Sequence, residues 1–109
     1  MNESMSVAQL QEEIHRTAVE HGWWDQDRSI GEVLMLAVTE LAEAMEAHRD
    51  GNPSSEKIDG FTKVEEELVD TIIRILDLAG RMGFDIEGAL RAKMAYNETR
   101  PYRHGGKLA

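Results

Sequence analysis

Apolar residues recur every three or four positions along most of the chain, which is the spacing of an amphipathic helix rather than of a strand. Polar capping residues and glycine or proline breaks divide this pattern into four stretches. They predict helices at about residues 6–22, 29–49, 62–82 and 85–98. We therefore predict a single all-α domain over residues 1–109, with a basic C-terminal tail after the fourth helix.

The predicted helix starts carry the clearest local signals. Ser6, Ser29 and Thr62 are each followed three residues later by Gln or Glu, which is the form of a capping box. Gly83 is placed to end the third helix, and Pro101 disfavours helical backbone in the residue before it. These signals set the expected boundaries independently of the apolar pattern.

Composition narrows the classes of function. The chain has 12 Lys and Arg against 21 Asp and Glu, a formal net charge of −9, and no cysteine. The missing cysteine excludes disulfides and thiolate chemistry, and an acidic body repels the phosphate backbone of a nucleic-acid polymer. No apolar stretch approaches the roughly 18 to 20 residues of a membrane span, and the N-terminus has no signal-peptide pattern. We therefore expect a cytoplasmic protein with no membrane contact.

Charge is distributed unevenly along the chain. Residues 91–109 contain five Lys or Arg and only one acidic residue, Glu98. Such a segment is suited to binding a small anion, although on composition alone a solvated tail that aids solubility is the better explanation.

The second predicted helix contains two carboxylates in apolar surroundings. Apolar residues cover almost its full circumference, which predicts burial on most sides, yet Glu40 and Glu43 lie one turn apart within it. Burying unpaired carboxylates costs several kcal/mol, so a cation should accompany them. Mg²⁺ and a buried arginine are the two candidates, and this helix alone does not distinguish them.

The third predicted helix carries a second pair with the same spacing, Glu67 and Asp70. Taken alone, this pair is better explained as part of an exposed polar face, where Lys63–Glu67 and Asp70–Arg74 form ion pairs four residues apart. Two helices joined by a short loop pack antiparallel, however, and would bring all four carboxylates to one groove. Together they form a candidate site for one or two Mg²⁺ ions and a phosphate ligand.

The last helix and its exit carry Lys93, Asn97 and Arg100, spaced four and three residues apart and therefore on one side. Their ammonium, amide and guanidinium groups suit phosphate oxygens. We predict that these three residues bind one anionic ligand together.

These residues resemble the MazG-like all-α nucleoside triphosphate pyrophosphatases. The resemblance lies in Glu40-Leu-Ala-Glu43, in Glu67-Leu-Val-Asp70, and in the ending that runs from Lys93 through Asn97 and Arg100 to His104-Gly. It covers most of the chain from about Ser29 to Lys107. The order and separation of the three elements make the combination far more specific than either carboxylate pair alone.

The resemblance implies a four-helix domain that assembles as a dimer or a dimer of dimers. It implies Mg²⁺, with Mn²⁺ as a substitute, bound by the four carboxylates, and hydrolysis of a nucleoside or deoxynucleoside triphosphate to monophosphate and pyrophosphate. Lys93, Asn97 and Arg100 would hold the triphosphate.

Trp23 and Trp24 follow the first predicted helix, and one indole could stack on a nucleobase. A core or dimer-interface anchor explains adjacent tryptophans better, although one of the two could still face the site. We include Trp23 among the candidate substrate-binding residues on this basis.

Two further functions stay open on the sequence. The phosphoribosyl-ATP pyrophosphohydrolases use the same phosphoanhydride chemistry on a different nucleotide, so only a substrate panel separates the two. A non-catalytic helical adaptor with an acidic groove would bind a basic partner and show no Mg²⁺-dependent turnover.

Overall fold

The structure, a computed structural model, describes residues 4–101. Within them it contains four α-helices and no β-strand, which confirms the all-helical prediction for this part of the chain: α1 is Val7–Glu20, α2 is Ile30–Arg49, α3 is Lys63–Met82 and α4 is Ile86–Glu98. The tail residues Arg103, His104 and Lys107, predicted to follow the last helix, lie outside the described residues.

Local capping chemistry explains the helix starts. At Ser6 and at Thr62 both reciprocal hydrogen bonds of the capping box are present. At Ser29 only half of the predicted box forms, because the Glu32 carboxylate pairs with Arg28 at 3.2 Å instead of returning to the cap backbone. The prediction of a complete capping box at Ser29 is therefore wrong, although the Ser29 side chain does accept a hydrogen bond from the Glu32 N–H.

Helices α2 and α3 pack together most extensively, and α1 packs on α3. Glu43 shares a cavity with Lys63 near the start of α3, whereas Glu40 lies by Arg74 further along, so α2 and α3 run antiparallel as predicted. The α1 and α3 backbones approach closely at Gly80, where an added Cβ would lie 2.6 Å from the His15 Cβ. Helix α4 makes its main contacts with α1.

The apolar core within the described residues is small. It consists of three larger side chains and four alanines: Val33, Leu76, Leu78, Ala37, Ala44, Ala47 and Ala79. The prediction that α2 is buried on most sides is wrong for the single chain, because only one side of α2 meets α3. Its other apolar side chains are about half exposed: Leu34, Met35, Val38, Leu41 and Met45.

Helix α3 turns its polar face inward. Glu66, Glu67, Thr71 and Asp77 are buried. Many of its apolar side chains are exposed instead: Leu68, Val69, Ile72, Ile73 and Ile75. The exposed-face interpretation of Glu67 and Asp70, weighed for this helix taken alone, is therefore wrong for Glu67, and Asp70 is partly buried. The α2–α3 packing covers that face, whereas only Leu76, Leu78 and Ala79 are buried among the apolar residues of α3.

Among residues 4–101, no helix has both the length and the apolar character needed to cross a bilayer.

Candidate metal and phosphate site

A cavity of about 560 Å³ opens between α2 and α3, and residues near the end of α1 complete its wall. All four sequence-predicted carboxylates line it, together with Trp23. The remaining lining residues include three cations and a further carboxylate: Lys57, Lys63, Arg74 and Asp77.

Three of the carboxylates form a tight cluster. One oxygen each from Glu40, Glu67 and Asp70 lie within 4.8 Å of one another. Glu40 comes from α2 and the other two come from successive turns of α3. The i,i+3 spacing predicted from sequence therefore brings its donors to one point once the two helices pack antiparallel.

Glu43 differs from the other three. Its side chain is exposed, and it lies outside the 4.8 Å cluster although it lines the same cavity. The prediction that neither Glu40 nor Glu43 is a solvated charge is wrong for Glu43 in the single chain, because the apolar neighbours expected to bury it are themselves exposed.

Burial and mutual repulsion shape the electrostatics of the cluster. Burial raises the pKa of Glu40, and the nearby Asp70 charge raises it further, while Arg74 acts in the opposite direction. Burial also raises the pKa of Glu67, helped by a hydrogen bond with Asp70, and Lys63 opposes this. The neighbouring cations Arg74 and Lys63 therefore offset only part of the negative charge of the cluster.

The donor set fits a hard divalent cation. All donors of the cluster are carboxylate oxygens from residues 40, 67 and 70, and Mg²⁺ and Mn²⁺ prefer oxygen ligands of this kind. A dication placed between them would offset the repulsion that adds to burial in raising the pKa values of Glu40 and Glu67. Glu43, on the cavity wall, is a candidate fourth ligand.

Three cations in the cavity were not predicted as site residues. Lys63 lies 3.6 Å from Glu66 and 3.8 Å from Glu67, and Lys57 lies 3.9 Å from Glu66. Arg74 is the third. A helical wheel of α3 contained the signal for two of them, since positions 63, 67, 70, 74 and 77 follow one another at spacings of three and four.

Glu66 is buried beside the cluster but has its own partners. The Ser55 hydroxyl donates to its carboxylate at 2.6 Å, and this hydrogen bond holds the pKa of Glu66 below its ordinary value, helped by Lys63 and Lys57. The same hydroxyl accepts from the backbone N–H groups of Lys57 and Ile58. Glu66 thus ties the α2–α3 loop to α3 and holds Lys57 beside the cavity.

Arg74 has a different partner from the one predicted. The sequence predicted an exposed Asp70–Arg74 pair, but the guanidinium lies 3.8 Å from Glu40 on the other helix and stacks 4.4 Å from the ring centre of Trp23. The arginine alternative considered for the α2 carboxylates is thus partly realised at Glu40.

Trp23, named from the sequence as a candidate substrate-binding residue, lines the cavity, but guanidinium groups contact its ring. Arg28 lies 3.7 Å from the ring centre, in addition to Arg74. Its indole N–H is buried and donates to no described residue. Trp24 instead donates to Asp77 at 2.9 Å, and His15 contacts the same Asp77 oxygen at 2.8 Å. Asp77 thereby anchors the tryptophan segment on α3.

Lys93, Asn97 and Arg100 are not brought to this cavity in the single chain, since none of the three lines it. Lys93 and Arg100 instead lie beside Tyr96, at 4.7 and 5.8 Å from its ring centre. The predicted phosphate-binding residues and the carboxylate cluster are therefore separate features of one chain.

Comparison of this chain with protein-family models, curated proteins and solved structures found no match. The motif residues and their geometry therefore carry any functional assignment.

Proposed function

We propose that this protein hydrolyses a nucleoside or deoxynucleoside triphosphate to the monophosphate and pyrophosphate, with Mg²⁺ as its cofactor and Mn²⁺ as a substitute. One observation carries the proposal: oxygens of Glu40, Glu67 and Asp70 converge within 4.8 Å in a cavity that also contains lysine and arginine side chains. Opposite charges side by side suit a ligand that is itself a metal–polyphosphate complex.

A bound Mg²⁺ would neutralise phosphate charge and lower the pKa of an attacking water. Glu40, Glu67 and Asp70 would hold it, and Glu43 is the fourth predicted carboxylate of the cavity. Lys57 and Lys63 lie at the end of the cavity near the start of α3, where their ammonium groups would meet phosphate oxygens.

Of the two α2 carboxylates in the cavity, Glu43 is our choice for the general base. It lines the cavity outside the cluster that would hold the metal, so its carboxylate would stay free to accept a proton from the attacking water. Glu40 is the other candidate, but it would be occupied as a metal ligand.

Isotope labelling tests the proposed bond cleavage. Hydrolysis in ¹⁸O-water with Mg²⁺ and a panel of ribo- and deoxynucleoside triphosphates should place the label in the monophosphate and none in pyrophosphate, because attack is expected at the α-phosphorus. Release of diphosphate and orthophosphate would identify attack at the γ-phosphorus and overturn the pyrophosphatase assignment. Including phosphoribosyl-ATP in the panel separates the related histidine-pathway reaction, and absence of any Mg²⁺-dependent turnover would favour the acidic adaptor.

The exposed apolar surface supports assembly of two or more copies. Leu34, Leu41 and Ile72 are about half exposed, as are several neighbours on α2 and α3, whereas the buried core contains few large side chains. Water contact with so much apolar surface is unfavourable, and a second copy would remove it. Light scattering at micromolar concentration should report a dimer or a tetramer, and a stable, active monomer would contradict this.

An oligomer also gives a role to the predicted phosphate-binding residues on α4 and just after it. Lys93, Asn97 and Arg100 lie away from the cavity of their own chain, so we propose that they serve the cavity of a neighbouring copy. Mixing subunits tests this. If Glu67→Gln and Arg100→Ala are each inactive, a re-equilibrated equal mixture should regain about a quarter of wild-type activity, because half the dimers then contain one intact site. No recovery would show that both residues act within one chain.

A further inference from the structure

Arg74 lies at the junction between the carboxylate cluster and Trp23. It follows Asp70 by one turn on the cavity face of α3, and its side chain is 28% exposed. Its guanidinium is 3.8 Å from Glu40 and 4.4 Å from the Trp23 ring centre. It is thus the cavity cation that contacts both Glu40 and the tryptophan.

The guanidinium is held without using its hydrogen-bond donors. The 3.8 Å separation from Glu40 is too long for a hydrogen bond, and Arg74 donates none to any other residue in the part of the chain that the structure describes. Arginine carries five N–H donors in a planar fork that matches phosphate oxygens. Stacking on Trp23 therefore holds in place a cavity-lining group whose donors make no hydrogen bond to the described residues.

Arg28 provides a built-in comparison. It also stacks on Trp23, at 3.7 Å, but its Nε donates to the Trp23 carbonyl oxygen and its Nη1 to Glu32. It does not line the cavity. Donors of Arg28 are thus used in hydrogen bonds within the protein, whereas the donors of Arg74 make none to the described residues.

We propose that Arg74 is a substrate-binding residue. In the metal-free protein its positive charge partly neutralises Glu40. When Glu40 binds a metal ion, Arg74 donates a hydrogen bond to a phosphate oxygen of the triphosphate. The inference rests on the proposed function and adds a phosphate-binding group within the same chain as the carboxylates. Arg74 and the metal ion compete for Glu40, because both are cations drawn to one carboxylate, whereas they cooperate toward the triphosphate.

Two binding measurements separate these effects. Mn²⁺ affinity is measured by electron paramagnetic resonance at pH 8, and binding of inorganic tripolyphosphate by calorimetry in the presence of Mg²⁺, so that neither depends on the identity of the base or on turnover. Arg74→Met should bind Mn²⁺ several-fold more tightly and tripolyphosphate about tenfold more weakly. Arg74→Lys keeps the charge and should fall between Arg74→Met and the wild type. Arg28→Met should match the wild type in both.

Opposite shifts in the two affinities are the signature of the proposal. If Arg74→Met and Arg74→Lys change neither affinity, or weaken both alike, Arg74 only packs against Trp23 and the proposal is wrong. If the wild-type protein binds no Mn²⁺, the proposed function fails, and this inference fails with it. Wild-type Mn²⁺ binding with no response to the Arg74 variants would overturn the inference alone.

Discussion

Glu66 and Glu67 are adjacent on α3 and both are buried, yet their pKa values are shifted in opposite directions. Glu66 accepts a hydrogen bond from Ser55 and lies near two lysines, and its pKa is lowered. Glu67 faces Glu40 and Asp70, and its pKa is raised by burial and by its hydrogen bond with Asp70. A buried carboxylate is therefore a site candidate when its charge is left uncompensated, not simply because it is buried.

The largest expected difference between the two residues is in turnover. Glu67→Gln removes a proposed metal ligand and should lower Mg²⁺-dependent hydrolysis by about a hundredfold or more. Glu40→Gln and Asp70→Asn should behave alike. Glu66→Gln is the matched control, since it makes the same chemical change one residue away and should keep most activity. Steady-state kinetics of the four variants, with circular dichroism to verify folding, provides the measurement. Equal losses of activity in Glu66→Gln and Glu67→Gln would contradict the assignment of Glu67, and not Glu66, to the metal site.

The second difference is in thermal stability without metal. Glu67→Gln should raise the melting temperature, because it relieves repulsion with the neighbouring carboxylates. Glu66→Gln should lower it, because the amide replaces a charge that Ser55 and the lysines stabilise. Differential scanning calorimetry in the presence of a chelator would show shifts of opposite sign. Shifts of the same sign would mean that the two carboxylates have similar environments after all.

The pH dependence of these shifts follows from the pKa directions. The folded-state pKa of Glu67 is above its ordinary value of 4.5, so the folded protein binds a proton in a range where the unfolded chain does not. The destabilisation that the Glu67 charge causes is therefore complete above the raised pKa and decreases as the pH falls through it. For Glu66 the pKa is lowered, so its contribution to stability is present above 4.5 and is lost as the pH falls through the folded-state pKa.

We therefore expect the stabilisation by Glu67→Gln to be largest near neutral pH and to shrink toward pH 5, whereas the destabilisation by Glu66→Gln persists there. Melting curves of both variants and the wild type, recorded between pH 5 and pH 8, test this. A stabilisation by Glu67→Gln that increases as the pH falls would contradict the raised pKa assigned to Glu67.

The smallest expected effect concerns Ser55. Ser55→Ala removes the hydroxyl that donates to Glu66 at 2.6 Å and should lower the melting temperature by less than Glu66→Gln does, since the two lysines remain. Mn²⁺ affinity should not change, because Ser55 does not contact the cluster. A marked loss of Mn²⁺ binding in Ser55→Ala would show that the Glu66 network supports the metal site and is not separate from it.

The two faces of α3 show where prediction from sequence fails. The polar stripe, taken alone, was interpreted as an exposed face, but the cavity lies on that side, and many side chains of the apolar stripe are exposed instead. The amphipathic pattern identifies two faces without stating which one meets the same chain. An apolar face can equally be covered by another copy, and a polar face can be buried wherever opposite charges and a bound ligand compensate it.

What the sequence by itself determined was local. The starts of the helices at Ser6, Ser29 and Thr62 depend on side chains within three residues of the backbone groups they cap, and all three caps are present. The pairs Glu40 with Glu43 and Glu67 with Asp70 were likewise visible as one-turn spacings on predicted helices. Their meeting in one groove followed from the short connection between α2 and α3.

Only the tertiary structure decided which charges are compensated. Arg74 meets Glu40 rather than Asp70, and Glu66 meets Ser55 across the loop, because an ion pair four residues apart on a helix is worth only about 0.2–0.5 kcal/mol. A partner on another element easily outweighs a preference of that size. The sequence therefore supplies the charged groups of the cavity, and the packing of α2, α3 and the loop selects which of them remain free to bind a ligand.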